Sequence, residues 1–170
     1  MKMIVCPLVH IEEVVAEHHP SHMITLLDPQ FEIETPEGLS PDRHLKLAIW
    51  DICDAREGMV PPDEAHVREI LAFGRDWPAE EPILIHCWAG ISRSTATAFM
   101  LACQRNPHAP ELEIARRLRE AAPHAYPNRR LVRLADAALD RDGRMIEAVE
   151  AIGDNGFATM GRPFEMPAFF

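Results

Sequence analysis

The residues best equipped for chemistry lie in one short segment, His86-Cys87-Trp88-Ala89-Gly90-Ile91-Ser92-Arg93-Ser94-Thr95. Where a loop turns into the first turn of a helix, successive backbone N–H groups point inward and form an anion nest, reinforced by the helix dipole. Gly90, in mid-loop, permits the backbone angles and close approach that such a nest needs. Arg93 adds a fork of donors matched to two oxygens of a phosphate. A thiol held in such a field favours its thiolate, the nucleophilic form. Cys87 would then sit beneath any phosphorus held by the nest, and phosphoryl transfer to sulfur follows.

The specificity of this pattern can be weighed. With four cysteines and fifteen arginines in 170 residues, a bare C-x5-R arises about 0.35 times by chance. Requiring also the preceding His, the Gly at the third position and the Ser/Thr after the Arg lowers that to about 5 in 100,000. The complete pattern is therefore a strong signal, and the bare one is not.

A strand must deliver the cysteine and a helix must receive the arginine. Residues 82–86 are apolar without alternation, as in a central parallel strand covered on both faces. Residues 93–105 are small and apolar almost all round, which predicts a buried helix. Further strands are expected near 2–6, 22–27 and 45–50. Other helices are expected from about 61–64 onward, over 112–122, near 128–140 and near 142–152. An irregular tail follows. This order is α/β, with a central, mostly parallel sheet flanked by helices. In such sheets ligands bind beyond the carboxyl ends of the strands, where His86 stands. One domain over 1–153, with a tail over 154–170 packed on it, fits the length.

Composition narrows the function further. The net charge of -10, with only Lys2 and Lys46 as lysines, argues against a nucleic-acid partner and against a polylysine membrane anchor. The first ten residues are too short an apolar run for a signal core and are interrupted by Pro7. No stretch reaches the length of a membrane span. A cytoplasmic, thiol-reduced protein is expected, and Cys6, Cys53, Cys87 and Cys103 show no metal-site spacing.

His-Cys-x-x-Gly-x-x-Arg-Ser resembles the signature loop of the cysteine-dependent protein tyrosine phosphatases, in particular their compact dual-specificity branch. His22-Met-Ile-Thr-Leu-Leu-Asp28 resembles the early strand of that branch, Trp50-Asp51 the strand end bearing its acid, and Pro127-Asn128-Arg129-Arg130-Leu131 a later helix start. The resemblance spans about residues 20–140. It implies a phosphotyrosine-phosphatase-like fold and hydrolysis of phosphomonoesters, above all protein phosphotyrosine, through a cysteinyl-phosphate. No cofactor or metal is needed. Cys87 would be the nucleophile and Arg93 the phosphate clamp, with the amides of Trp88, Ala89, Gly90, Ile91, Ser92 and Arg93 as the nest. Ser94 would assist departure of the sulfur, His86 would orient the loop, and Asn128 would brace it. Asp51 is the expected general acid, Asp54 the alternative and Asp63 a distant third. Trp88, Ala89 and Ile91 stand where lipid-phosphate members of the wider family tend to carry lysine, which points to a phosphorylated protein or small aryl phosphate as substrate. A weakly catalytic phosphate-binding module, and a sulfurtransferase or arsenate-type thiol enzyme, are the rival readings. The oligomeric state is left open.

Several features read as ordinary structure. His10, His18, His19 and His22 are expected as surface or loop histidines, because nothing completes a metal site around them. Either Cys53 or Cys103 could form a reversible disulfide that shields Cys87 from over-oxidation, but small hydrophobes are the simpler reading. Arg116, Arg117, Arg119, Arg129, Arg130 and Arg133 read as solvated helix faces, with a positive rim around the site as the second reading.

Overall fold

The structure, a computed structural model of the chain, describes residues 1–154 and 156–170. Among them, β1 (Lys2–Pro7), β2 (His22–Leu27), β3 (His44–Ala48), β4 (Ile83–Cys87) and β5 (Phe164–Pro167) form one sheet in the order β3-β2-β4-β1-β5. The first four strands run parallel. β4 lies at the centre and is buried throughout, which is why its sequence carries no alternation. The expected α/β class holds.

α1 (Ile11–His18) covers one face of the sheet, where Ile4, Cys6, Met23 and Leu84 pack against Ile11, Val14 and Leu39. The other face carries α2 (Glu64–Asp76), α3 (Arg93–Arg105), α4 (Glu111–Ala121), α5 (Arg129–Ala138) and α6 (Arg144–Ala151). There Val5, Ile24, Leu26, Ile83 and Ile85 meet Ile70, Phe99, Leu101, Leu118 and Leu131 in one continuous core. α3 is buried from Arg93 to Cys103, because α2, α4 and α5 all pack on it. Gly74 of α2 makes room for that contact: a Cβ there would stand 2.3 Å from a methyl of Leu101.

Three expectations require correction. The tail is not irregular throughout: Phe164–Pro167 pair antiparallel with Val5–Lys2, so β5 closes the edge that β1 would otherwise expose. β3 ends at Ala48, so Asp51 lies in the following bend and not at a strand end. His22 is not a surface or loop residue: it is buried in β2, with Nδ1 2.9 Å from the Ser21 hydroxyl. Among the described residues, no helix is long and apolar enough to cross a membrane.

Candidate active site

β4 ends at Cys87 and α3 begins at Arg93, and both side chains are almost fully buried. The turn between them is held from outside by its carbonyls. Trp88 O accepts from Leu8 N–H (3.2 Å), Ala89 O from Gly161 N–H (2.8 Å), Ile91 O from Tyr126 N–H (2.9 Å) and Ser92 O from Asn128 N–H (3.2 Å). In a planar trans peptide the N–H points opposite to the C=O. The amides of Ala89, Gly90, Ser92 and Arg93 are thereby turned away from these anchors, toward the space the loop encloses. Gly90 has φ +66°, and a Cβ on it would lie 2.7 Å from Pro7 N. Only glycine meets both conditions.

Arg93 is 3% exposed. One terminal nitrogen donates to Asp28 Oδ1 (2.6 Å) and to Ile49 O (2.7 Å). Its Nε is buried without a hydrogen-bond partner among the described residues, and lies 3.9 Å from Asp51 Oδ2. A buried cationic donor left unpaired is costly, and an anion in the nest would satisfy it. Ser94, one residue into α3, places its hydroxyl 3.1 Å from Cys87 Sγ.

Asp51 is fastened to this loop. Its Oδ1 accepts from the Ser92 hydroxyl (2.7 Å) and from Asn128 Nδ2 (2.9 Å). Asn128 is also the N-cap of α5, its Oδ1 accepting from the N–H groups of Arg130 and Leu131. One side chain thus starts a helix, while its other end orients the carboxylate. Arg130 braces the same segment by donating to Pro62 O (2.5 Å) and Cys53 O (3.3 Å). Arg119 donates to Pro123 O, Ala125 O, Ile152 O and Gly153 O. These two arginines are braces for irregular segments, which corrects their reading as solvated faces. Asp54 is exposed and bonds to no residue of the loop. Asp63 caps α2, its side chain accepting from His66 N–H, a bond that holds its carboxyl below the usual carboxylate range.

Behind the cysteine runs a buried polar chain. His86 pairs with Thr25 in the β2–β4 register. The Thr25 hydroxyl lies 2.7 Å from both His86 Nε2 and His44 Nε2, and His44 Nδ1 is 2.9 Å from the Thr35 hydroxyl. Burial lowers the pKa of His86 to about 3 and that of His44 to about 4, so both rings are neutral near pH 7. The Cys87 backbone is the neighbour that favours a proton on His86. Each neutral ring has one donor and one acceptor nitrogen, so the Thr25 hydroxyl can donate to one ring while it accepts from the other, and the two rings are held through it.

Asp28, Thr25 and His44 join the site without having been expected there. A signal existed for Asp28: it follows β2 at the carboxyl end of a strand beside β4, where Leu26 pairs with Cys87. Of the other cysteines, burial pushes the Cys6 thiol up to about 12 and raises that of Cys103 as well. Both are buried, and all four cysteines are free. Cys53 Sγ lies 4.0 Å from Asn128 Oδ1.

Comparison with known proteins fits this geometry. A family profile described as protein-tyrosine phosphatase matches residues 17–129. Among solved structures, DUSP15 is 16% identical, with a TM-score of 0.60, over 88% of this chain and 89% of its own. Human DUSP28 is 16% identical, also at 0.60, over 82% and 92%. PTPMT1 in complex with PI(5)P is 15% identical, at 0.56, over 81% and 87%. At such identities the likeness concerns the fold. No curated protein matches the chain.

Proposed function

The chain belongs to the protein-tyrosine phosphatase family, and from that premise we propose that it hydrolyses phosphotyrosine on proteins, or a small aryl phosphate, through a cysteinyl-phosphate on Cys87. The supporting observation is Arg93: a nearly inaccessible guanidinium with one N–H lacking a hydrogen-bond partner among the described residues, at the end of the loop that carries an equally buried thiol. In the first step the Cys87 thiolate attacks phosphorus, an S–P bond forms and the P–O ester bond breaks. Asp51 gives a proton to the departing oxygen. Water then attacks the phosphocysteine and Asp51 takes a proton from it. The S–P bond breaks, inorganic phosphate leaves, and the Ser94 hydroxyl donates to the returning thiolate.

In this reading Asp51 is preferred to Asp54 because Ser92 and Asn128 tie it to the loop and leave Oδ2 facing Arg93. The apolar Trp88 side chain, half exposed and 4.7 Å ring to ring from Phe31, supports an aryl ester over a polar headgroup. The reaction is assigned to the chain as one domain, with the tail part of its sheet. The test is hydrolysis of an aryl phosphate in the presence of a chelator. Turnover inhibited by vanadate and abolished in Cys87→Ser is expected. Full activity in Cys87→Ser, or a requirement for a divalent cation, contradicts the proposal.

A further inference from the structure

We propose that Gly161, in the C-terminal tail, is a positioning residue that locks the middle of the phosphate loop; this rests on the reading of that loop as the oxyanion site. The register of β5 on β1 sets up the contact. Phe164 pairs with Val5, two residues before the end of β1 that lies opposite Cys87, and Gly161 lies three residues before Phe164. From there its N–H donates 2.8 Å to Ala89 O.

The 89–90 peptide is the least constrained of the loop by its own chemistry. It joins an alanine to a glycine at φ +66°, and glycine crosses between backbone regions more readily than any other residue. Rotation of that peptide would turn the Gly90 N–H out of the nest and its carbonyl partner inward, replacing an attraction for an oxyanion by a repulsion. The tail opposes this rotation, because it also breaks the bond from Gly161. The approach is close enough that Gly161 cannot carry a side chain. A Cβ there would stand 2.7 Å from the His124 ring and 2.9 Å from Gly90 O. On its other side, Gly90 rests against Cys6 and Pro7. The loop is thus clasped between β1 and the tail, with a glycine at each contact. By reciprocity, an oxyanion that fixes the loop also fixes the tail.

The experiment measures vanadate affinity and aryl-phosphate turnover of the full chain as wild type, Gly161→Ala, Gly161→Ala/His124→Ala and Val149→Ala. Val149 is a buried residue of α6 and reports on loss of stability alone. Gly161→Ala should weaken vanadate binding by about tenfold, as expected for losing one well-aimed donor to a charged group. It should lower kcat/KM by about 10²-fold, the scale of a small misplacement. Removing the His124 ring should restore part of both, and Val149→Ala should lower the melting temperature without weakening vanadate. In the unmodified protein, saturating vanadate should slow hydrogen exchange at the Gly161 amide, which keeps the question decidable if Gly161→Ala fails to fold. Unchanged vanadate affinity in folded Gly161→Ala, or an unchanged exchange rate at Gly161, overturns the tail's role and leaves the phosphatase reading standing. Failure of the wild type to bind vanadate overturns both.

Discussion

At the scale of single residues, the site separates holding an anion from handling a proton. In the proposed mechanism Arg93 takes the first task, and Asp28 and Ile49 O fix its outer nitrogen from the side. Asp51 takes the second in that proposal, and its two bonds from Ser92 and Asn128 occupy only Oδ1. Asp51→Asn should therefore slow hydrolysis of phosphotyrosine by about 10²–10⁴-fold. The loss should be much smaller on an ester with a very good leaving group, which scarcely needs the proton. Vanadate binding should survive, since the nest and Arg93 are intact. Asp54→Asn, in an exposed side chain, should do little to either substrate. Steady-state kinetics on a pair of leaving groups decides it: leaving-group dependence in Asp54→Asn instead would move the acid to that residue.

At the scale of elements, the helices are used for their ends. α3 receives the loop at its N-terminus, and α5 begins at a cap that doubles as the orienting group of Asp51. Asn128→Ala should cost about 1 kcal/mol through the lost cap and should also lower kcat, while Asn128→Ser separates the two effects. The serine hydroxyl still caps the first-turn N–H groups without adding a charge beside Asp51, so the melting temperature should stay near wild type. Its short side chain cannot also donate to Asp51, so kcat should fall as in the alanine variant. Equal activity of Asn128→Ser and wild type would show that the bond to Asp51 is idle. Much of this level was readable in the sequence. The unbroken apolar run of β4, the small-residue helix α3 and the Pro127-Asn128 helix start carry local signals of period and capping. The loop's place between β4 and α3, with a glycine at its tight turn, was readable because such a turn needs glycine at a fixed spacing. What escaped was long-range. Neither the pairing of β5 with β1 nor the Thr25–His44–His86 chain leaves a local trace, because each is made by residues distant in sequence and brought together only by sheet register. Arg119 and Arg130 misled for the same reason, since a carbonyl partner leaves no pattern in composition, whereas Arg116, Arg117, Arg129 and Arg133 are exposed as expected.

At the scale of the whole molecule, the sheet's central position for β4 comes with buried neutral histidines. His44 and His86 hold pKa values of about 4 and about 3 in the fold, against about 6.5 in the unfolded chain. Between those values the unfolded chain binds protons that the fold refuses, so stability rises with pH across this window and is lost as pH falls through it. Above about 6.5 these groups add no further dependence. Each refused proton costs about 1.4 kcal/mol per pH unit. Denaturant unfolding at intervals from pH 7.5 to 4.5 should show stability falling below about 6.5. The slope in His86→Gln should be shallower by one proton, whatever the variant's absolute stability. Identical slopes would place the acid sensitivity elsewhere.

In the proposed mechanism sulfur carries the phosphoryl group, and acid-quenched intact-mass analysis during turnover of an aryl phosphate tests this most directly. Asp51→Asn, in which release of the leaving group and attack by water are both slowed, should be compared with wild type, and the modified peptide mapped. One phosphoryl group on Cys87, absent in Cys87→Ser and discharged on further incubation, is the predicted result. Turnover with no phosphorylated protein at any time, or a phosphoryl group on a histidine or serine in place of Cys87, would contradict it.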